Sequence, residues 1–202
     1  MKNKIEFLII KFILIINIKY YFKSKFFINN NNIIKIVFIM DKFTINPWKK
    51  FHEEWALVTA GKKDNFNTMT ISWGGMGTLF SRPVVTVYIK PARYTHDFVL
   101  ENDIFTVSFY DEKHRESLTY LGNHSGKDED KVAKVGFTPK FLENGGITFE
   151  QAKTTIVLKK LFTQQLDRNN IPKDIIKTYF SNDHERPSHT MFIGEVIDFI
   201  EN

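Results

Sequence analysis

The sequence predicts a mainly β fold, a β-barrel with short helical insertions. Two observations carry that expectation. From Trp55 onward, short apolar segments alternate at period two and are cut by turns rich in Gly, Asn and Asp, the pattern of half-buried strands. Consecutive strand patterns also lack the regular intervening helices that a doubly wound parallel sheet requires.

Ala56 to Ala60 (ALVTA) reads as the first strand, with GKKDNFN as the turn behind it. Thr68 to Trp73 (TMTISW) alternates and forms a second strand, the hairpin partner of the first. Gly74 to Gly77 (GGMG) then reads as a flexible connection: it is not G-x-G-x-x-G, and neither a long amphipathic helix nor a βαβ unit frames it. Val84 to Lys90 (VVTVYIK) is the third strand, with Arg82-Pro83 at its entry, where a residue lacking an N–H is tolerated. Thr95 to Asn102 (THDFVLEN) suits a short helix, with Thr95 as N-cap and Asp97 in the first turn, where oxygen and negative charge meet unpaired N–H groups. Ile104 to Tyr110 (IFTVSFY) is the fourth strand. A helical region runs from Glu112 to Tyr120, followed by the loop LGNHSGKDEDK and a short helix near Val132. The run ITFEQAKTTIVLKKLFTQQL suggests two paired strands, Ile175 to Phe180 fits helix or strand, and Phe192 to Ile200 closes the chain as a strand.

At 202 residues the chain suits one domain able to bury a substantial core. Its net charge of +5 is misplaced for a nucleic-acid binder: residues 1–40 carry +6 and residues 41–202 carry −1, with no basic stripe. The first 40 residues are compositionally foreign, since Ile, Lys, Asn and Phe make up 31 of them. Phe7 to Ile18 lacks the small-residue cleavage site of a signal peptide, and Lys11 and Asn17 interrupt a run too short for a membrane helix. AT-rich untranslated sequence read in frame would look the same. The expectation is a mis-assigned start or leader over residues 1–40 and a folded domain over residues 41–202, with a membrane anchor as the competing reading. The absence of cysteine excludes disulfides, thiolate nucleophiles and Cys-ligated metal, and fits the cytoplasm.

Conventional catalytic groups are scarce. His184 and His189 in DHERPSH are five apart with Pro187 between them, which opposes the helical i, i+4 pair of a zinc site, so no metal is expected. G-x-S-x-G is missing, and Glu195 in the last strand reads as a solvent-facing carboxylate. What remains is polar. Asn65 to Trp73 (NFNTMTISW) sets Thr68, Thr70 and Ser72 on one face, either a strand face in water or a groove wall along a polar ligand. KPARYTHDF places Arg93 and Thr95 where a strand hands over to a helix, and HSGKD (His124–Asp128) adds a Gly-flanked hydroxyl and cation, both fitting a phosphate.

The order of these pieces, N-x-M-T-x-S-W, S-R-P, R-Y-T-H, S-G-K-D and a closing H-T-M-F-I-G-E-V, resembles the flavin reductase-like family, whose members are FMN-binding split β-barrels and include flavoredoxin-like proteins. The resemblance covers Trp55 to Gly136 well and extends loosely to the end. It implies a mainly β, Greek-key split barrel, and a homodimer with FMN bound near the subunit interface. It also implies that Asn67, Thr68, Met69, Thr70, Ser72 and Trp73 line the ring and ribityl chain, that Arg93 and Thr95 hold the phosphate, and that Ser125, Gly126 and Lys127 assist. The implied activity is an NAD(P)H-dependent, FMN-binding oxidoreductase passing hydride through flavin to a small-molecule or protein acceptor. The alternative is a non-enzymatic FMN electron carrier. No catalytic side chain is expected in either case, because the cofactor performs the difficult step. Some relatives carry a cysteine near the loop holding His124; this chain has none, so thiol-dependent chemistry does not transfer.

Overall fold

The computed structural model describes residues 45–180 and 188–201. The expectations for residues 1–40 and for His184 fall outside that range. The fold is a split β-barrel. Seven antiparallel strands form one sheet in the order β2-β1-β5-β8-β9-β4-β3. They are β1 (Ala56–Lys62), β2 (Asn65–Ile71), β3 (Gly74–Leu79), β4 (Arg82–Ile89), β5 (Ile104–Phe109), β8 (Thr154–Gln165) and β9 (Thr190–Glu201), while β6 (Pro139–Phe141) and β7 (Ile147–Phe149) make a separate ribbon.

Helices enter as insertions: α1 (Tyr94–Glu101) between β4 and β5, α2 (Arg115–Asn123) and α3 (Lys131–Lys134) after β5, and α4 (Lys173–Phe180) before β9. Short loops make hairpins of β1–β2 and β3–β4, whereas the insertion of α1 carries the chain from β4 back to pair with β1. Two register shifts in the β8–β9 ladder give these twelve-residue strands local bends.

One part of the core lies along the sheet: Val85, Val87, Ile89, Phe105, Val107, Phe109, Ile156, Leu158 and Phe192 are buried. A second part seats α2 and α3 on it through Leu57, Tyr110, Leu118, Leu121, Val132, Phe137 and Phe149. Each buried side chain of this size contributes on the order of 1.5–3 kcal/mol, so the scaffold holding the loop after α2 is firmly anchored.

Several sequence expectations need correction. GGMG is not a flexible connection but the body of β3, paired with β4 from Gly74↔Val87 to Leu79↔Arg82. The two strands of ITFEQAKTTIVLKKLFTQQL do not pair with each other: β7 pairs with β6, and β8 lies between β5 and β9. The second strand begins at Asn65 and ends at Ile71, leaving Ser72 and Trp73 in the connection to β3. Thr95 is not the N-cap of α1; Arg93 is, through its backbone alone. The ambiguous segment at 175–180 is helical. Glu195 does not face solvent: its side chain is 12% exposed and pairs with Arg82 across β4 and β9.

Candidate functional site

Beyond Ile89 the chain turns through Lys90, Pro91 and Ala92, closed by Arg93 N–H donating to Lys90 C=O at 2.9 Å. The pyrrolidine of Pro91 favours such a turn, and it brings Arg93 to the mouth of α1. Thr95, in the first turn of α1, is buried and accepts a hydrogen bond from Asn67 Nδ2 of β2 at 2.9 Å. On the other side of Asn67 lies Gly126, in the loop after α2. A side chain there would overlap Asn67 Oδ1, so only glycine allows the loop this close.

These three segments enclose a hollow of about 70 Å³. Asn67 and Met69 supply one wall, Arg93 and Thr95 another, and Ser125, Gly126 and Lys131 a third, with His124 at the rim. Six of the residues singled out from the sequence therefore converge: Asn67, Met69, Arg93, Thr95, Ser125 and Gly126.

The other five do not line the hollow, for identifiable reasons. Thr68 is fully buried, its hydroxyl held by Thr59 Oγ1 at 2.8 Å and donating to Val58 C=O. Thr70 donates its hydroxyl to Leu118 C=O at the flank of α2. Two hydroxyls of the predicted row, Thr68 and Thr70, thus tie β2 to its neighbours. Ser72 lies beyond the strand end. Trp73, beside it, is 38% exposed and lies against the tilted ring of His189 with centroids 4.6 Å apart, Tyr179 meeting it edge to face at 5.6 Å. Lys127 swings its ammonium over the Tyr94 ring, 5.0 Å from the centroid. From there it borders an open groove that shares Asn67, Gly126 and Lys131 with the hollow.

Sequence reasoning missed Lys131. Its residue is 3% exposed, and its ammonium donates to Leu121 C=O and His124 C=O, both at 2.8 Å, at the C-terminal end of α2. Free carbonyls at a helix end attract a cation. Burial, reinforced by the Arg93 cation and opposed by Glu129, pulls its pKa down from 10.5 to about 8. In the run DEDK it reads as one charge of a solvated loop, and only the tertiary fold reveals that it is inside. Next to it, Tyr120 and His124 stack at 3.8 Å, and the Tyr120 hydroxyl donates to the Glu129 carboxylate, which raises the phenol pKa.

No Asp or Glu lines the hollow, whereas the cations Arg93 and Lys131 and the hydroxyl-bearing Tyr94, Thr95 and Ser125 do. Like charges in a low-dielectric recess repel, so the arrangement is complementary to an anion. Its volume suits a tetrahedral oxyanion. Among the described residues no group of three or more His, Asp or Glu is placed to hold a metal, and no helix is long and apolar enough to cross a membrane.

Comparison with curated proteins gives no match. Among solved structures, the chain is similar to the FMN-binding protein of Thermus thermophilus (21% identity over 79% of this chain and 78% of that one, TM-score 0.58). It is also similar to flavoredoxin of Desulfovibrio vulgaris (Miyazaki F), at 25% identity over 73% and 69% with a TM-score of 0.56. A third likeness is to an NADH:FAD oxidoreductase of Streptomyces globisporus, at 17% identity over 74% of each chain with a TM-score of 0.55. The flavin reductase-like domain matches residues 48–202, which takes in every strand of the barrel and all three walls of the hollow. The chain therefore belongs to the flavin reductase-like domain family.

Proposed function

We propose that this protein is an FMN-binding oxidoreductase of the flavin reductase type, and that the hollow between β2, α1 and the loop after α2 holds the FMN phosphate. The observation that carries this reading is the charge of the walls: Arg93 and Lys131 beside the hydroxyls of Thr95 and Ser125, with no carboxylate among them.

Each residue has a task that its chemistry permits. Arg93 offers a planar fork of N–H donors that meets two phosphate oxygens at once. Lys131 spends two N–H groups on helix carbonyls and keeps a third. The first turn of α1 adds unpaired backbone N–H groups and a favourable dipole, worth about 0.3–1 kcal/mol. Met69 presents an apolar surface next to the polar hollow. With the phosphate in the hollow, the ring system lies outside it, and the partly exposed Trp73 and Tyr179 are the surface proposed for it. Two copies of the chain together would shield that surface from water, and the functional unit proposed is a homodimer. When bound, FMN supplies the hydride-accepting and electron-donating centre, with NADH or NADPH as donor, so the chain's own work is binding, orientation and exclusion of water.

An absorption spectrum of the purified protein tests this, with bands expected near ~450 nm after addition of FMN and bleached anaerobically by NADH or NADPH. Bound flavin that ignores both nicotinamides would identify an electron carrier instead, and protein that stays colourless in excess FMN would end the proposal.

A further inference from the structure

We infer that Asn67 is a positioning residue for the hollow: its side-chain amide, by donating to Thr95 Oγ1, commits the Thr95 hydroxyl to donate inward. The inference rests on the phosphate reading above and extends it to the orientation of one hydroxyl on the wall.

A threonine hydroxyl carries one proton and can accept on its lone pairs. A phosphate ester dianion offers acceptors only. A hydroxyl left to rotate would present either a proton or a lone pair to it, and the second is repulsive. Asn67 Nδ2 sits 2.9 Å from Thr95 Oγ1 and occupies its accepting side. The O–H must then point elsewhere, and Thr95 lines the hollow. In this orientation Asn67 Oδ1 faces the space beside Gly126 that a side chain there would fill. At 5% exposure Asn67 has little room to choose another arrangement.

The same logic recurs around the hollow. Ser125 Oγ accepts the Lys127 backbone N–H at 3.2 Å, which leaves its proton to give away. The carbonyls of Leu121 and His124 take two hydrogens of Lys131 and leave one. Thr95, Ser125 and Lys131 are thus each biased toward donation by a hydrogen bond to a neighbouring group. Among those neighbours the Lys127, Leu121 and His124 groups are backbone. Asn67 contributes a side chain, so it can be altered by substitution.

The experiment compares FMN with riboflavin, which lacks the phosphate, by quenching of flavin fluorescence. The proteins are wild type, Asn67→Leu, Thr95→Val, Thr95→Ser and the doubles combining Asn67→Leu with each threonine variant. Asn67→Leu is expected to weaken FMN about tenfold and riboflavin less than twofold, the effect of misaligning one hydrogen bond to a charged group. In the Thr95→Val background, which has no hydroxyl to orient, Asn67→Leu should change the FMN-to-riboflavin ratio no further. In Thr95→Ser the full effect should persist. Equal losses for both flavins, or full additivity with Thr95→Val, would overturn the inference and leave Asn67 a packing residue. Should Asn67→Leu fail to fold, Asn67→Ala removes the amide without adding charge or bulk, and FMN must still weaken about tenfold with riboflavin spared. Wild type that binds FMN and riboflavin equally well would instead remove the phosphate reading itself, and this inference with it.

Discussion

Arg93 and Lys131 supply the hollow with charge in different ways, and the difference decides how each can be tested. Arg93 is exposed at the mouth of α1, where its planar fork of donors can meet a ligand from solvent. A hydrogen bond to a charged group nets roughly 1.5–3 kcal/mol, so Arg93→Ala should weaken FMN about ten- to a hundredfold in a flavin titration and leave riboflavin nearly untouched. Lys131, by contrast, titrates. In the unliganded protein its pKa is about 8 against an ordinary 10.5. Between those values the unfolded chain binds a proton that the folded one does not, so this group's contribution to stability rises with pH across that window. A bound dianion has the opposite preference, since it favours the charged ammonium. FMN affinity should therefore fall about tenfold from pH 7 to pH 9, and Lys131→Met should abolish that alkaline limb. Below about pH 6 the phosphate monoester takes up its own proton, and a second decline independent of Lys131 is expected. Arg93, Thr95, Ser125 and Gly126 were legible in the sequence because they sit in short polar stretches at element junctions, where phosphate contacts are built. Lys131 was not, because its burial depends on α2 and α3 closing over it.

At the scale of elements, the β3–β4 hairpin shows why local signals failed where pairing decided the outcome. Its loop is the two residues Phe80 and Ser81, at φ 52° and 58°. Two-residue hairpin loops need such left-handed residues, and Asn-Gly is the usual solution because it reaches them with little steric cost. Phe-Ser carries no such signature, and Gly74, Gly75 and Gly77 lower the strand propensity of the segment before it. Pairing with β4 overrides both. The left-handed region costs an ordinary residue about 1–2 kcal/mol. Replacing Phe80-Ser81 by Asn-Gly should therefore stabilise the protein by about 1–2 kcal/mol, read as a higher urea midpoint with an unchanged slope. A lower midpoint would mean that Phe80, 71% exposed in the single chain, is covered by something that stabilises it. The strands that were read correctly, β1, β4, β5 and β9, have enough apolar residues at period two for the core to fix their register. The ribbon β6–β7 has three residues in each strand, too few for a period to show.

At the scale of the whole molecule, the hollow and the aromatic surface pose one question, namely what covers the part of the cofactor that the hollow cannot hold. On the proposed reading a recess of about 70 Å³ takes the phosphate, and the ring system would rest on surface outside it. Trp73 and Tyr179 meet edge to face at 5.6 Å, and Ile175, one helical turn before Tyr179 on α4, is 40% exposed. Contiguous exposed apolar groups on a domain otherwise close to neutral mark an interaction surface. The family resemblance supplied the second copy as its occupant; periodicity alone could not, because a solvent-facing aromatic in a short helix looks the same in a monomer. Light scattering should give twice the chain mass at micromolar concentration, with little dependence on salt, because an apolar contact has few charges to screen. Tyr179→Glu should shift the mass toward one chain and weaken FMN and riboflavin alike, since it strips the covering from the ring. Arg93→Ala should weaken FMN alone and leave the mass unchanged. A wild-type protein that runs as one chain yet binds FMN tightly would show that a single copy covers the ring by itself, and the paired arrangement would have to be abandoned.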